Sequence, residues 1–304
     1  MKKLLTLLIS ICVVISIDYV ILKVFPLTSK DNYLLGFRNF LTIANETVGQ
    51  ERIILVGGSS LGWGVSSEVL SNNLEILTLN SGIHAGVGYR NFFRNIEDVL
   101  DKEHDLIVIS PEYSIVSEGG DLGRSDEFCF IAIYVRNEYP IDCVGYSISS
   151  LVKITSILNR NKSASDKDEF ISGGFNRFGD YVFRIEGVNM VGKMDNDNRC
   201  SGWKIQDLTD KYIPYVNDLI SKGYEIVYIP NFLPEITCKD QDKVDGFHRL
   251  MFEKFGIQTF EQAELLFDEK YFYNTAYHLT EEGVHLKTNI FQNQLRFYLD
   301  NRSR

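Results

Sequence analysis

The sequence predicts an α/β protein built on a parallel sheet. Three short apolar runs carry that reading: Arg52–Val56, Glu75–Leu79 and Leu106–Ser110, each followed by a turn-prone segment. Uninterrupted apolar runs of this kind belong to strands covered on both faces. Between the second and third, Phe92, Ile96, Val99 and Leu100 recur at helical spacing within Tyr89–Asp101. Strand, helix and strand joined by short links is the pattern of an α/β sheet. A fourth strand is expected over Glu225–Ile229, after a helix marked by Tyr212, Tyr215, Val216, Leu219 and Ile220 and closed by Gly223. A terminal helix is expected from about Thr280. Its positive end carries Glu281 and Glu282, and Val284, Ile290, Phe291, Leu295 and Leu299 turn inward.

Ahead of the sheet, Met1-Lys2-Lys3 precedes an apolar run from Leu4 to Phe25 that Pro26 ends. As a helix, its 22 residues cover about 33 Å, enough for a hydrocarbon core of about 30 Å. Lysines in front hold the amino terminus in the cytoplasm. This predicts a single-pass anchor in the cytoplasmic membrane, with the rest of the chain on the extracytoplasmic side. A cleaved signal peptide is the rival reading, but the run exceeds the usual apolar region of about 7–15 residues and lacks an Ala-x-Ala-like site. Cys12 follows Leu-Ile-Ser-Ile, without the small residue that precedes a lipidated cysteine. Cys129, Cys143, Cys200 and Cys238 form an even set in a compartment that permits disulfides. Three pairings are open, of which Cys129 with Cys143 is the local one.

The layout expected is an anchor over 1–26, a linker over 27–49, an α/β core from 50–115 and 204–304, and an insertion over 116–203. The insertion is rich in Gly, Asp, Asn and Ser but holds apolar stretches at Phe128–Val135 and Ile148–Ile157. It reads as a partly folded lid beside the carboxyl ends of the strands, where ligands bind in open α/β sheets, or as a structural elaboration. With 44% hydrophobic residues in 304, the chain can bury a sizeable core and is not wholly disordered. Acidic side chains outnumber basic ones 41 to 31, leaving no excess cation for a phosphate backbone, so no nucleic-acid partner is expected.

Gly57-Gly58-Ser59-Ser60-Leu61-Gly62-Trp63-Gly64 follows the first strand directly. Such a turn exposes a hydroxyl at a strand end and aims nearby N–H groups at what the hydroxyl attacks. A phosphate loop would need a lysine after the last glycine, and the dinucleotide spacing is absent. Gly58-Ser59-Ser60-Leu61-Gly62 matches the Gly-x-Ser-x-Gly elbow, although that elbow follows several strands and this one follows the first. A nucleophilic serine needs a base. Of His84, His104, His248, His278 and His285, the best placed is His278, in the loop Phe272–Leu279 before the terminal helix. No histidine or cysteine pair has metal-ligand spacing, and no organic cofactor is indicated.

Gly58-Ser59 after strand one, Asn80-Ser81-Gly82 after strand two and a histidine loop before the last helix together resemble the blocks of the SGNH, or GDSL-like, hydrolase superfamily. The resemblance covers about residues 50–115 and 205–300. It implies a flavodoxin-like three-layer α/β/α sandwich, with Ser59 as nucleophile, His278 as general base, and the N–H groups of Ser59 and Gly82 as oxyanion donors. It also implies ester chemistry on acyl groups, often acetyl groups on carbohydrate, and membrane-anchored relatives modify exported polysaccharides. Three positions depart from the family pattern. Asn274 stands where an Asp usually orients the histidine; Ser110-Pro111-Glu112-Tyr113 replaces the third-block Asn; and Gly58 replaces the Asp of the common triplet. Glu112 can donate to an oxyanion only when protonated, whereas Tyr113 has a hydroxyl to offer.

Two functions follow as expectations. The first is an esterase or O-acyltransferase working through an acyl-serine on an acylated, exported glycan, with polysaccharide-biosynthesis proteins as partners. The second is a membrane-tethered carbohydrate-binding or assembly protein that has lost catalysis and whose 16 Tyr and 20 Phe include a sugar-stacking cleft.

Overall fold

Every residue of Arg52–Gly57 (β1) is buried, as a strand covered on both faces requires. β1 pairs in parallel with Leu77–Asn80 (β2) on one side and Asp105–Ser110 (β3) on the other, and β3 pairs in parallel with Glu225–Tyr228 (β4). The order is β2-β1-β3-β4. A second, two-stranded parallel pair joins Leu233–Pro234 (β5) to Leu266–Phe267 (β6). The computed structural model describes residues 33–113, 125–138, 143, 170–194, 204–235, 241–256 and 265–302, with positions 9, 10, 12, 13 and 16.

The principal helices are Phe37–Glu46 (α1), Ser59–Gly62 (α2), Ser67–Leu74 (α3), Tyr89–Arg94 (α4), Ser125–Phe130 (α5), Ile213–Ser221 (α6), Gln241–Phe255 (α7) and Glu281–Arg302 (α8). Alternation along the strands divides the core in two. Ile54, Val56, Ile107 and Ile109 join Phe40 of α1, Phe92 of α4, Val216 of α6 and Met251 of α7 on one face. On the other, Ile53, Leu55, Leu106 and Val108 join Leu70 of α3 and Phe291 and Leu295 of α8. This is a mixed α/β fold whose parallel sheet carries helices on both faces, consistent with a three-layer sandwich.

Several expectations need correction. Residues 33–46 are not linker: Tyr33, Leu34, Phe37, Phe40 and Ala44 are buried at helical spacing against the first face. The helix expected over Tyr89–Asp101 stops at Arg94. Ile96 N–H turns to the Phe93 carbonyl and Val99 N–H to that of Ile96, tightening the chain into a 3₁₀ turn. The described parts of the insertion, 125–138, 143 and 170–194, pack as wall and strap, and its apolar stretch Ile148–Ile157 lies outside the described residues. Phe128, Phe130, Ile131 and Ile133 lie in the core, and a disulfide joins Cys129 to Cys143. No helix among the described residues is long and apolar enough to cross a membrane. The span expected over 4–25 falls mostly outside the described residues, as do Cys200 and Cys238.

One buried ion pair fixes where the sheet begins. Arg52 and Asp105 are cross-strand partners. Arg52 Nε donates to Asp105 Oδ1 at 2.7 Å and Nη2 to Oδ2 at 2.8 Å, with both side chains fully buried. The same guanidinium donates to the carbonyls of Ala44 and Val99, so α1, β1 and the approach to β3 meet on one cation. Asp105→Ala leaves that cation uncompensated, and we expect a loss of about 3–5 kcal/mol in denaturant unfolding. A loss under about 1 kcal/mol would show that the start of the sheet is held by packing alone.

Candidate active site

β1 ends on two glycines, and the chain then turns into α2 with Gly58 extended and Ser59 first in the helix. A Cβ on Gly57 would fall 2.5 Å from the Ser110 carbonyl oxygen, and one on Gly58 2.6 Å from Glu112 Oε1. Glycine is what lets this turn lie against the end of β3. Because β2 and β3 flank β1 on opposite sides, the crevice beyond β1 and β3 is the switch point where open α/β sheets bind ligands.

The histidine arrives from the other end of the chain. Phe272 and Leu279 bridge in antiparallel fashion, Tyr273 N–H donates to the His278 carbonyl, and Thr280 N–H to that of Tyr271. Within this closed loop, the N–H groups of Tyr277 and His278 both donate to Thr275 Oγ1. His278 lies flat on Trp63, ring centroids 4.5 Å apart and planes 6° apart. Trp63 is fully buried and also stacks on Tyr273.

These two segments bring the predicted residues together. His278 Nε2 lies 2.9 Å from Ser59 Oγ, and His278 Nδ1 lies 2.7 Å from Asn274 Oδ1. An amide oxygen only accepts, so Nδ1 carries the ring proton and Nε2 is left to accept the serine proton. Asn274 thus sets the tautomer that a general base needs while supplying no charge. Burial is the main reason that the His278 pKa is lowered to about 3, with the charges of His84 and Arg184 acting in the same sense. Ser60 is not an equivalent nucleophile, for its hydroxyl is buried and has no hydrogen-bond partner among the described residues.

The oxyanion donors differ from expectation. Gly82 N–H donates to Asn80 Oδ1 at 2.9 Å. A Cβ on Gly82 would fall 2.5 Å from Gly62 N, so this glycine serves the close packing of two turns. The Tyr113 hydroxyl donates to the Asn231 carbonyl and contacts His248 Nε2, which turns it away from the serine. Of the three expected donors only Ser59 N–H remains; as the first residue of α2 it has no intrahelical acceptor. Glu112 occupies the neighbouring space: Oε1 accepts from Ser60 N–H at 2.8 Å and lies 3.3 Å from Ser59 Oγ.

Three further groups surround the site. Lys287 of α8 is buried and donates to the Ser60 carbonyl and Asn231 Oδ1. Burial lowers its pKa to about 7, against the opposing pull of Glu112. His84, after β2, holds Nδ1 at 2.7 Å from Glu127 Oε2 of α5, so the insertion supplies a carboxylate to a second, half-exposed histidine. Arg184 donates to the carbonyls of Trp63 and Leu279. Beside it, Asp180 accepts from Ser67 N–H and from the amides of Asn80 and Asn176. Lys287 had a signal in the sequence, since it shares the inward face of α8 with Phe291 and Gln294. Glu127, Asp180 and Arg184 had none, as nothing local marks which carboxylate or guanidinium a distant loop will bury. No family model matches the chain, and no curated protein or solved structure matches it.

The buried histidine makes stability depend on pH. Unfolded histidine titrates near 6.5, so between that value and about 3 the unfolded chain binds more protons and stability falls as pH is lowered. His248, buried between the Tyr113 and Tyr228 hydroxyls with its pKa also lowered to about 3, acts in the same sense. Burial raises the carboxyls of Glu112 and Asp180, which act in the opposite sense. The difference between wild type and His278→Gln isolates the histidine. We expect the wild type to lose stability relative to that variant from pH 6.5 down to 4, measured by denaturant unfolding. A constant difference would mean that His278 takes up its proton without opening the site.

Proposed function

We propose that this protein is a serine esterase or O-acyltransferase of the SGNH, GDSL-like kind, built on a flavodoxin-like α/β/α sandwich. Its substrates are acyl esters, acetyl foremost, of an exported polysaccharide, and its partners are the proteins that make that glycan. The observation that carries this reading is the Ser59–His278–Asn274 relay, with contacts of 2.9 and 2.7 Å at the end of β1. A strand order of β2-β1-β3-β4 agrees with the flavodoxin-like arrangement. The apolar run over residues 4–25 supports a membrane anchor, and the Cys129–Cys143 disulfide supports an extracytoplasmic domain.

Ser59 Oγ attacks the ester carbonyl while His278 Nε2 takes its proton. The tetrahedral intermediate collapses, the alcohol leaves with the proton from His278, and an acyl-Ser59 ester remains. Water or a sugar hydroxyl then attacks that ester, giving up its proton to His278, and Ser59 is regenerated. Ser59 and His278 are only 7% and 5% exposed. A site this dry slows hydrolysis of the acyl-enzyme and favours transfer to a hydroxyl held by the protein. The relay itself asks for no metal or organic cofactor.

The rival reading is the tethered glycan-binding protein without turnover. In its favour, Asn274 supplies no charge and the N–H of Gly82 is already engaged. Against it, Trp63, which stacks on His278, and the rings packed on Trp63, Tyr33, Tyr181 and Tyr273, are core residues with 0–1% exposure, and Phe170, partly buried, meets His278 edge-on. The core rings offer no face on which a sugar can stack.

A fluorophosphonate probe on the full chain tests the assignment. We expect one label, lost in Ser59→Ala and kept in Ser60→Ala. Asn274→Asp should raise the labelling rate about tenfold or more, because a carboxylate on Nδ1 makes His278 a stronger base. Full labelling of Ser59→Ala would sink the nucleophile, and a folded wild type that never labels would leave the binding protein as the better reading.

A further inference from the structure

The hydrogen count around Ser59 does not close if Glu112 is an anion. His278 Nδ1–H is given to Asn274 Oδ1, so Nε2 accepts, and the single proton of Ser59 goes to Nε2 at 2.9 Å. Nothing is left on Ser59 Oγ to donate to Glu112 Oε1, 3.3 Å away. With an ionised carboxylate this contact sets two acceptors face to face. With a carboxylic acid it is a hydrogen bond, donated by Glu112. The surroundings point the same way: Glu112 is 3% exposed, and among the described residues no lysine, arginine or histidine forms an ion pair with it. A buried carboxyl without a paired cation keeps its proton.

We propose that Glu112 is a neutral acid in the resting site and a catalytic hydrogen-bond donor to the oxyanion, filling the position that Gly82 and Tyr113 leave open. This rests on the acyl-serine chemistry proposed above. When Ser59 attacks, its oxygen becomes bonded to the substrate carbon, and the Glu112 O–H swings from Oγ to the developing oxyanion beside it. The proton stays on Glu112 throughout, so no charge is created or lost at this residue. A carboxylic acid kept neutral by a dry site is an effective oxyanion donor, because the same dryness strengthens its hydrogen bond.

The groups that set its proton affinity come from every element packed around it. Ser59 and Ser60 of α2 contact it directly, and His84 after β2 faces it as a cation when protonated. Lys287 of α8 and Tyr33 ahead of α1 lie close enough to feel its charge once it ionises. Burial outweighs the Ser60 N–H and His84 and moves the carboxyl above the usual carboxylate range.

Two measurements on the full chain test the proposal. Infrared difference spectroscopy between wild type and Glu112→Gln at neutral pH should show one protonated carboxyl band, absent from the variant and titrating away in alkali. The labelling rate of Ser59 by the fluorophosphonate should fall through that same titration in wild type. Glu112→Ala should lower the rate about a hundredfold. Glu112→Gln, an amide donor that does not titrate, should recover about tenfold over alanine and lose the alkaline limb. A missing carboxyl band overturns the proposal whatever the labelling shows. A band that is present, with glutamine no better than alanine, overturns the catalytic role while leaving the neutral acid. A band that is present in a chain whose Ser59 never labels overturns the acyl-serine chemistry, and the donor role with it.

Discussion

The Arg184 guanidinium is the tie on which the site depends. Ser59 and His278 stand 219 positions apart in the chain, and the hydrogen bond between them is too weak to hold two loops in register. Arg184 donates to the carbonyl of Trp63, just after the nucleophile helix, and to that of Leu279, just after the histidine. A single rigid fork of donors therefore spans the segments that carry Ser59 and His278, a task suited to arginine's fixed geometry. The surrounding strap adds to the tie: Tyr181 N–H donates to the Gly62 carbonyl, Asn80 N–H to that of Phe178, and Ile185 N–H to the Tyr273 hydroxyl.

Dryness is the second feature that organises the chemistry. Ser59, Glu112, His278 and Lys287 are all buried, and isolated charge is costly there. The Ser59–His278–Asn274 chain stays neutral, with an amide on Nδ1 and a histidine that resists protonation. A carboxylate at Asn274 would make His278 a stronger base, but it would sit partly buried beside a ring that is uncharged in the resting state. The substitution therefore reads as a match between relay and surroundings. The carboxylate absent from the relay has a counterpart at the rim, where Glu127 orients the more exposed His84.

The insertion explains why such a site can exist in this chain. Its described residues supply a disulfide-braced wall at α5 and a strap at 170–194. Asp180 is the strap's buried anchor, accepting from Ser67, Asn80 and Asn176. The strap crosses the end of β2 so closely that a Cβ on Gly179 would fall 2.1 Å from the Asn80 carbonyl oxygen, and that glycine has a φ of +89°. Both constraints call for glycine. The alignment of the site and the carboxylate partner of the second histidine trace to a segment that composition alone marks as loop-rich.

Residue order by itself marked the sheet and the pairing of Ser59 with His278. The runs at 52, 75, 106 and 225 are short, apolar and bounded by turns, as buried parallel strands are, and a serine on the first strand's terminal turn is set at the strand end by that geometry. His278 was legible because its loop precedes the last helix. Strand ends and terminal helices are local features, and local patterns in a sequence report them. The tertiary structure decided which polar groups the site would share. Gly82 and Tyr113 turned out to be committed to Asn80 and Asn231, Glu112 came to lie against Ser59, and Lys287, Glu127, Asp180 and Arg184 entered from distant segments. Each of those outcomes depends on which donors and acceptors are buried together, and burial is a property of the packed chain that no local spacing carries.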